Sequence, residues 1–176
     1  MDKTCLVVVD VQGKLAQLME GKERLFQGIE TLIKAFTLLD LPILWCQQCP
    51  DALGPTVESI RQALGDRESI DKSTFSCWAD PVFHDRLAGL NCSNVVLCGI
   101  EAHICIYQTA RDLNALGYHV EVPMDAVSAR SGQNLGVALG RLRAEGMTVA
   151  SVEMVLFDLL KTAQHPKFRE ISRLIK

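Results

Sequence analysis

The chain has 176 residues, a formal net charge of −3 and 48% hydrophobic residues. That length suits one domain spanning residues 1–176, and the apolar fraction is too high for a disordered chain. The small negative charge gives no support for nucleic-acid binding, which usually shows a basic stripe, and no apolar run reaches the length needed to span a membrane.

The chain opens Met1-Asp-Lys-Thr-Cys-Leu-Val-Val-Val-Asp10, which reads as a strand beginning at once, over Cys5–Val9, and not as a signal peptide. Leu25, Ile29, Leu32, Phe36 and Leu39 then alternate by four and three, the stripe of an amphipathic helix. A second strand is predicted over Pro42–Cys46, and a short helix over Pro55–Leu64 with Thr56 as its cap. Ser69–Lys72 reads as a brief strand and Val95–Gly99 as a fully apolar one. A helix follows over Cys105–Leu116, closed by Gly117. His119–Val122 is the next strand, Leu135, Leu139 and Leu142 mark a further helix, and Met147–Ser151 is the last strand. Pro166 opens a terminal helix.

Apolar strands alternating with helices imply an α/β fold: a three-layer, doubly wound, mostly parallel six-stranded sheet of Rossmann-like type. In the doubly wound order the first and fourth strands are central neighbours, so their carboxyl ends share the crevice where such sheets bind ligands. Asp10 and Cys105 are expected to meet there, and Lys72, after the third strand, falls on the same edge. Each also has a structural reading: Asp10 as a turn residue, Cys105 as a small buried side chain, Lys72 as a solvated surface charge. At a helix amino terminus Cys105 gains from the local dipole, which eases thiolate formation.

The seven cysteines are 5, 46, 49, 77, 92, 98 and 105. Their odd number and their places inside apolar runs suit a reducing compartment and not a disulfide framework. Asn91-Cys92-Ser93 fits a glycosylation pattern only formally. Cys46-Gln-Gln-Cys49 has CxxC spacing but straddles a strand end, where a redox motif starts a helix. Only one glycine, Gly13, lies in the turn after the first strand, so no dinucleotide cofactor is expected. Gln12, Phe75, Trp78 and His103 lie near the predicted crevice and are candidate substrate contacts.

Three separated segments carry a family resemblance: Val8-Val-Asp10-Val-Gln12, Lys72-Ser-Thr-Phe-Ser-Cys-Trp78 and Gly99-Ile-Glu-Ala-His-Ile-Cys105. They resemble the isochorismatase-like cysteine hydrolases, and the stretches Gln47–Val57 and His165–Ile171 resemble the isochorismatase domain-containing subgroup. The resemblance implies an Asp–Lys–Cys triad at Asp10, Lys72 and Cys105, and a cis peptide at Ile100–Glu101 that helps form an oxyanion hole. It further implies a thioester intermediate, a small amide or ester substrate and a homo-oligomer; the cytoplasmic setting is expected from the cysteine usage and the lack of a targeting or membrane segment in the sequence. Ala102 and His103 stand where the best-known cysteine amidases of the family have Thr-Asp. Gln47, Gln48, Cys49 and Asp51 stand where nicotinamidases have an Asp and histidines for a metal, so no metal is expected here. Isochorismatase itself cleaves an enol ether on this fold without a cysteine. A protein that keeps the fold only to bind a partner is the rival expectation, and Asp125–Arg130 reads as a structural turn.

Overall fold

In the computed structural model, which describes residues 4–175, every ladder of the central sheet is parallel. The strands are β1 (Thr4–Val9), β2 (Ile43–Gln48), β3 (Ile70–Lys72), β4 (Asn94–Ile100), β5 (His119–Pro123), β6 (Val127–Ser128) and β7 (Thr148–Ala150). Six run in the order β3-β2-β1-β4-β5-β7, and the two-residue β6 extends the sheet beside the end of β4. This is the doubly wound α/β sheet expected, with β6 as an addition.

The two-residue period of a strand explains why β1 and β4 have no polar face. Cys5, Val7 and Val9 enter one apolar layer with Val95 and Leu97, while Leu6 and Val8 enter the other with Val96, Cys98 and Ile100. The second layer is closed by α2 (Lys22–Leu38), whose Leu25, Ile29, Leu32, Ile33 and Phe36 are buried, together with α4 (Glu58–Leu64) and α8 (Val152–Leu160). The first is closed by α5 (Pro81–Gly89), α6 (Tyr107–Ala115) and α7 (Gly132–Ala144). Short helices α1 (Gly13–Gln17) and α3 (Pro50–Leu53) follow β1 and β2, and α9 (Phe168–Arg173) ends the chain. No helix among the described residues is long and apolar enough to cross a membrane.

Four helices, α1, α3, α5 and α8, were not foreseen, and the longer two, α5 and α8, each carry a start signal. Asp80 caps α5, its carboxylate accepting from the N–H groups of Val82 and Phe83, with Pro81 in the first turn. Ser151 caps α8 by accepting from Met154 N–H, and Val152, Val155, Leu156 and Leu160 form a buried stripe at helical spacing. Thr56 is not the cap of α4. Its hydroxyl accepts from Trp45 Nε1 at 3.0 Å and donates to Gln47 Oε1 at 2.9 Å, which pins the loop to β2. α4 starts at Glu58 without a side-chain cap.

One close approach fixes the crevice. Gly99 pairs with Val9 at the carboxyl ends of β4 and β1 and has φ +120°. A Cβ there would lie 2.0 Å from Val9 O, so no other residue allows the two strand ends to meet this closely.

Candidate active site

The crevice is built at the carboxyl ends of the central strands β1 and β4 and the edge strand β3. Asp10 is the first residue past β1 and has a positive φ of 56°, a conformation uncommon outside glycine. Its N–H donates to Cys46 O at 3.1 Å, which ties the bend to β2. Lys72 ends β3, and its Nζ donates to Asp10 Oδ2 at 2.7 Å, to Gln48 Oε1 at 2.6 Å and to Thr74 O at 3.1 Å. All three ammonium protons are thus used, and the lysine side chain is 0% exposed. It can fix and neutralise Asp10, but its charge is held in place by protein and is not presented to solvent.

Cys105 sits in a single π-helical turn, Ala102–Ile106, that precedes α6, and it is 7% exposed. Its environment departs from the helix-terminus expectation. Burial pushes the Cys105 thiol well above its ordinary value, and the Asp10 carboxylate pushes the same way, while Lys72 pulls it down less strongly. Burial also raises Asp10 above the usual carboxylate range, against the opposing charge and hydrogen bond of Lys72 and the thiol hydrogen bond of Cys105. On Lys72, burial acts downward, but Cys77, Asp10 and Cys105 outweigh it and hold the ammonium above its usual value. The resting pair is therefore a thiol facing a carboxylate with enhanced proton affinity. A thiolate forms here by transfer to Asp10, not by standing ionisation. Asp10 Oδ1 is buried and has no hydrogen-bond partner of ordinary geometry, which leaves that oxygen open to a proton.

The Ile100–Glu101 peptide bond is cis. Glu101 O accepts from the N–H of Ile104 at 3.0 Å and of Ile106 at 3.3 Å, shaping the turn that carries Cys105. The Glu101 carboxylate faces away from chemistry. Its Oε2 accepts from Arg130 N–H at 3.0 Å and its Oε1 from Arg130 Nε at 3.1 Å. Arg130 follows β6, so this clasp joins the nucleophile turn to the next sheet element.

The four candidate substrate contacts fall into different places. Gln12 is 0% exposed and is a brace: its Nε2 donates to Gln48 O at 3.1 Å and Gly54 O at 2.8 Å, and its Oε1 accepts from Gln48 N–H at 2.6 Å. With both ends of the amide engaged in the fold, it orients Gln48 and so Lys72. Trp78 packs against His84 and Tyr118, with ring centroids 4.4 Å and 6.3 Å away. Tyr118 precedes β5, at the opposite end of the sheet from Asp10, so the indole turns away from the crevice. His103 lines a cleft of about 510 Å³ between α6 and α7 with Tyr107, Arg111, Asn134 and Arg141, and neither Asp10, Lys72 nor Cys105 borders that cleft. Phe75 follows Thr74, whose carbonyl holds Lys72, and is 55% exposed at the crevice rim.

Sequence reading missed Gln48 and Arg130. Gln48 was noted only as a departure from a metal-binding pattern, yet its amide bridges Lys72 and Ser73 O, the latter at 2.9 Å. Among the described residues, no group of three or more His, Cys, Asp or Glu side chains could hold a metal ion.

The Isochorismatase domain matches residues 4–154. The chain belongs to the isochorismatase family. It is 37% identical over 97% of its length to the secreted isochorismatase effector Isc1 of Phytophthora sojae, covering 83% of that protein. Isochorismatase domain-containing protein 2A of Mus musculus is 36% identical over 99% of this chain and 84% of its own length. Among solved structures, the MAR1 ribonuclease from Caenorhabditis elegans superposes with a TM-score of 0.92 at 34% identity, covering 99% of this chain and 90% of that one. The YcaC gene product of Escherichia coli, described as an octameric hydrolase of unknown specificity, shares the fold at a TM-score of 0.86 and 17% identity, covering 98% of this chain and 92% of its own.

Proposed function

We propose that this isochorismatase-family chain is a cysteine hydrolase in which Asp10, Lys72 and Cys105 form the triad, acting on a small amide or ester through a thioester. The observation that carries the reading is the buried 2.7 Å Lys72–Asp10 pair beside the Cys105 thiol, whose proton affinity that carboxylate raises. A scaffold that only binds has no use for a buried ion pair that costs several kcal/mol to desolvate.

In the proposed cycle, Cys105 gives its proton to Asp10 as the sulfur attacks the carbonyl carbon. The resulting oxyanion takes hydrogen bonds from the N–H groups of Glu101 and Cys105. Asp10 passes its proton to the leaving amine or alcohol as the C–N or C–O bond breaks. Asp10 then takes a proton from water, which attacks the thioester, and the returned thiol closes the cycle. Lys72 holds Asp10 in position and keeps its proton affinity from rising further. No metal or cofactor enters any step. The proposal includes a single domain over the whole chain, a cytoplasmic setting that keeps Cys105 reduced, and a homo-oligomeric assembly.

The test is a screen of small amides and esters with intact-mass detection of an acyl adduct on Cys105, run with Cys105→Ala beside the native chain. RNA belongs in the same screen because of the names of the solved relatives, although a net charge of −3 offers phosphodiesters little attraction. Turnover that survives Cys105→Ala, or RNA cleavage in place of acyl transfer, would overturn the reading.

A further inference from the structure

Gln48 and Lys72 are direct partners across the β2–β3 ladder, and each is the last residue of its strand. Their side chains meet as an amide oxygen and an ammonium at 2.6 Å. The amide can face Lys72 in only one way. Gln48 Nε2 donates to Ser73 O at 2.9 Å, which leaves Oε1 to accept from the ammonium. A flipped amide would set an NH2 group against the ammonium and an oxygen against the Ser73 carbonyl. The backbone of Gln48 is clamped as well. Its N–H donates to Gln12 Oε1 at 2.6 Å and its carbonyl accepts from Gln12 Nε2 at 3.1 Å, so a side-chain amide pairs with β2 where β1 has ended.

The consequence falls on Asp10. An ammonium has three hydrogens to give. One goes to Gln48 Oε1 and one to Thr74 O at 3.1 Å, so only the third reaches the carboxylate, at Oδ2, over 2.7 Å. Asp10 Oδ1 is buried and has no hydrogen-bond partner among the described residues.

Resting on the Asp10–Lys72–Cys105 triad proposed above, we infer that Gln48 is a positioning residue: by occupying one ammonium hydrogen it confines Lys72 to Asp10 Oδ2 and reserves Oδ1 to accept the Cys105 proton. An ammonium hydrogen freed from Gln48 has Oδ1 as an open acceptor on a carboxylate it already touches. A second bond there would hold Asp10 through both oxygens, lower its proton affinity and block the oxygen that must receive the proton. Gln48 thus keeps Lys72 close enough to neutralise Asp10 and off its working oxygen. Besides Cys105, the ionisable groups facing this pair are Cys46 of β2 and Cys77 in the turn after β3, both 0% exposed. Neither is altered in the variants below.

The experiment uses iodoacetamide, a small electrophile that bears an amide, and follows alkylation of Cys105 against pH by peptide mapping. It compares the native chain with Gln48→Met, Gln48→Glu and Asp10→Asn, and needs no substrate. The native rate should show an acid limb set by Asp10, and that limb should be absent from Asp10→Asn. Gln48→Met has similar volume but no acceptor oxygen. It should slow Cys105 by about tenfold to a hundredfold, the worth of one hydrogen bond to a charged group. Its limb should move to lower pH, because two ammonium hydrogens then hold Asp10. Gln48→Glu keeps an oxygen on the ammonium and adds a negative charge near Asp10, so its limb should move to higher pH with more of the rate kept. A side chain that only fills space would move neither limb. Urea unfolding checks that each variant is folded, and Gln48→Glu, which keeps the native shape, reads its upward shift alone if Gln48→Met does not fold. A limb that survives Asp10→Asn unchanged would overturn the triad and this role with it. A limb that Asp10→Asn removes, but that stays at the native pH in the folded Gln48 variants, would overturn this role alone.

Discussion

At the carboxyl ends of β1 and β4 the Cys105 thiol shares a crevice with the Asp10 carboxylate, and at their amino ends Cys5 and Cys92 lie in one apolar layer. The two settings bias proton affinity in opposite directions. Cys105 is raised by burial and by Asp10, whereas Cys92 is lowered by its hydrogen bond from Cys5. Proximity to a sheet edge therefore does not decide thiol chemistry; the partner does. A carboxylate partner makes a thiol that ionises only while handing over its proton, which suits acyl transfer and protects the resting sulfur from oxidants.

Cys105→Ala separates the two ends most sharply. It should lower turnover of any true substrate by about a thousandfold or more and leave the fold intact, checked by steady-state kinetics and urea unfolding. Next in size is Lys72→Met. Asp10 is 3% exposed and would lose its counter-charge, so the variant should be less stable by about 3–5 kcal/mol in urea unfolding. Adding Asp10→Asn should recover much of that loss, because the buried uncompensated charge is then gone. A double variant no better than the single one would show that the ion pair is not what Lys72 contributes.

How far these features were legible in the sequence follows from their range. The strands β1 and β4 are uninterrupted apolar runs, and the doubly wound order put Asp10, Lys72 and Cys105 on one edge before any coordinate was known. The stripe of α8 and its Ser151 cap were equally visible, but the apolar run Val152–Leu160 directly follows the last strand and is easily absorbed into it. The braces were not legible. Gln12 to Gln48, and Glu101 to Arg130, are pairs 36 and 29 residues apart whose partners are chosen by strand order and β6 pairing. His103 is two residues from Cys105, yet the π turn directs it to the α6–α7 cleft. A helix drawn from Cys105 onward could not show that.

Titration gives the next test. Folding raises Asp10, so the native state holds that proton more tightly than the unfolded chain does. Asp10's contribution to stability is therefore full below the ordinary carboxylate range and is lost as pH rises through the raised value. Lys72 is also raised, so its contribution persists across neutral pH and is lost only as pH climbs through its own elevated value. For activity, the base form of Asp10 is required. The acid limb of kcat/KM should fall above the usual carboxylate range. A limb at or below that range would show that Asp10 is not the base. Arg130→Ala should have a smaller effect. It removes the Nε donor to Glu101, which is 5% exposed, while the Arg130 side chain is 57% exposed and screened. A stability loss of about 1 kcal/mol is expected, with a fall in kcat at little-changed KM, partly restored by Arg130→Lys.

Cys92→Ser is the smallest change and the one that best isolates the amino-edge pair. The serine hydroxyl keeps a hydrogen-bonding group next to Cys5 and loses little volume, and residue 92 is at the rim of its apolar layer. The melting temperature should shift by only a few degrees, as a change below about 1 kcal/mol does. Turnover should match the native chain, because Cys92 and the Asp10–Lys72–Cys105 crevice lie at opposite ends of β4 and share no hydrogen bond. If turnover instead falls, the two ends of the strands are coupled through the sheet, and the amino-edge thiols act on the crevice.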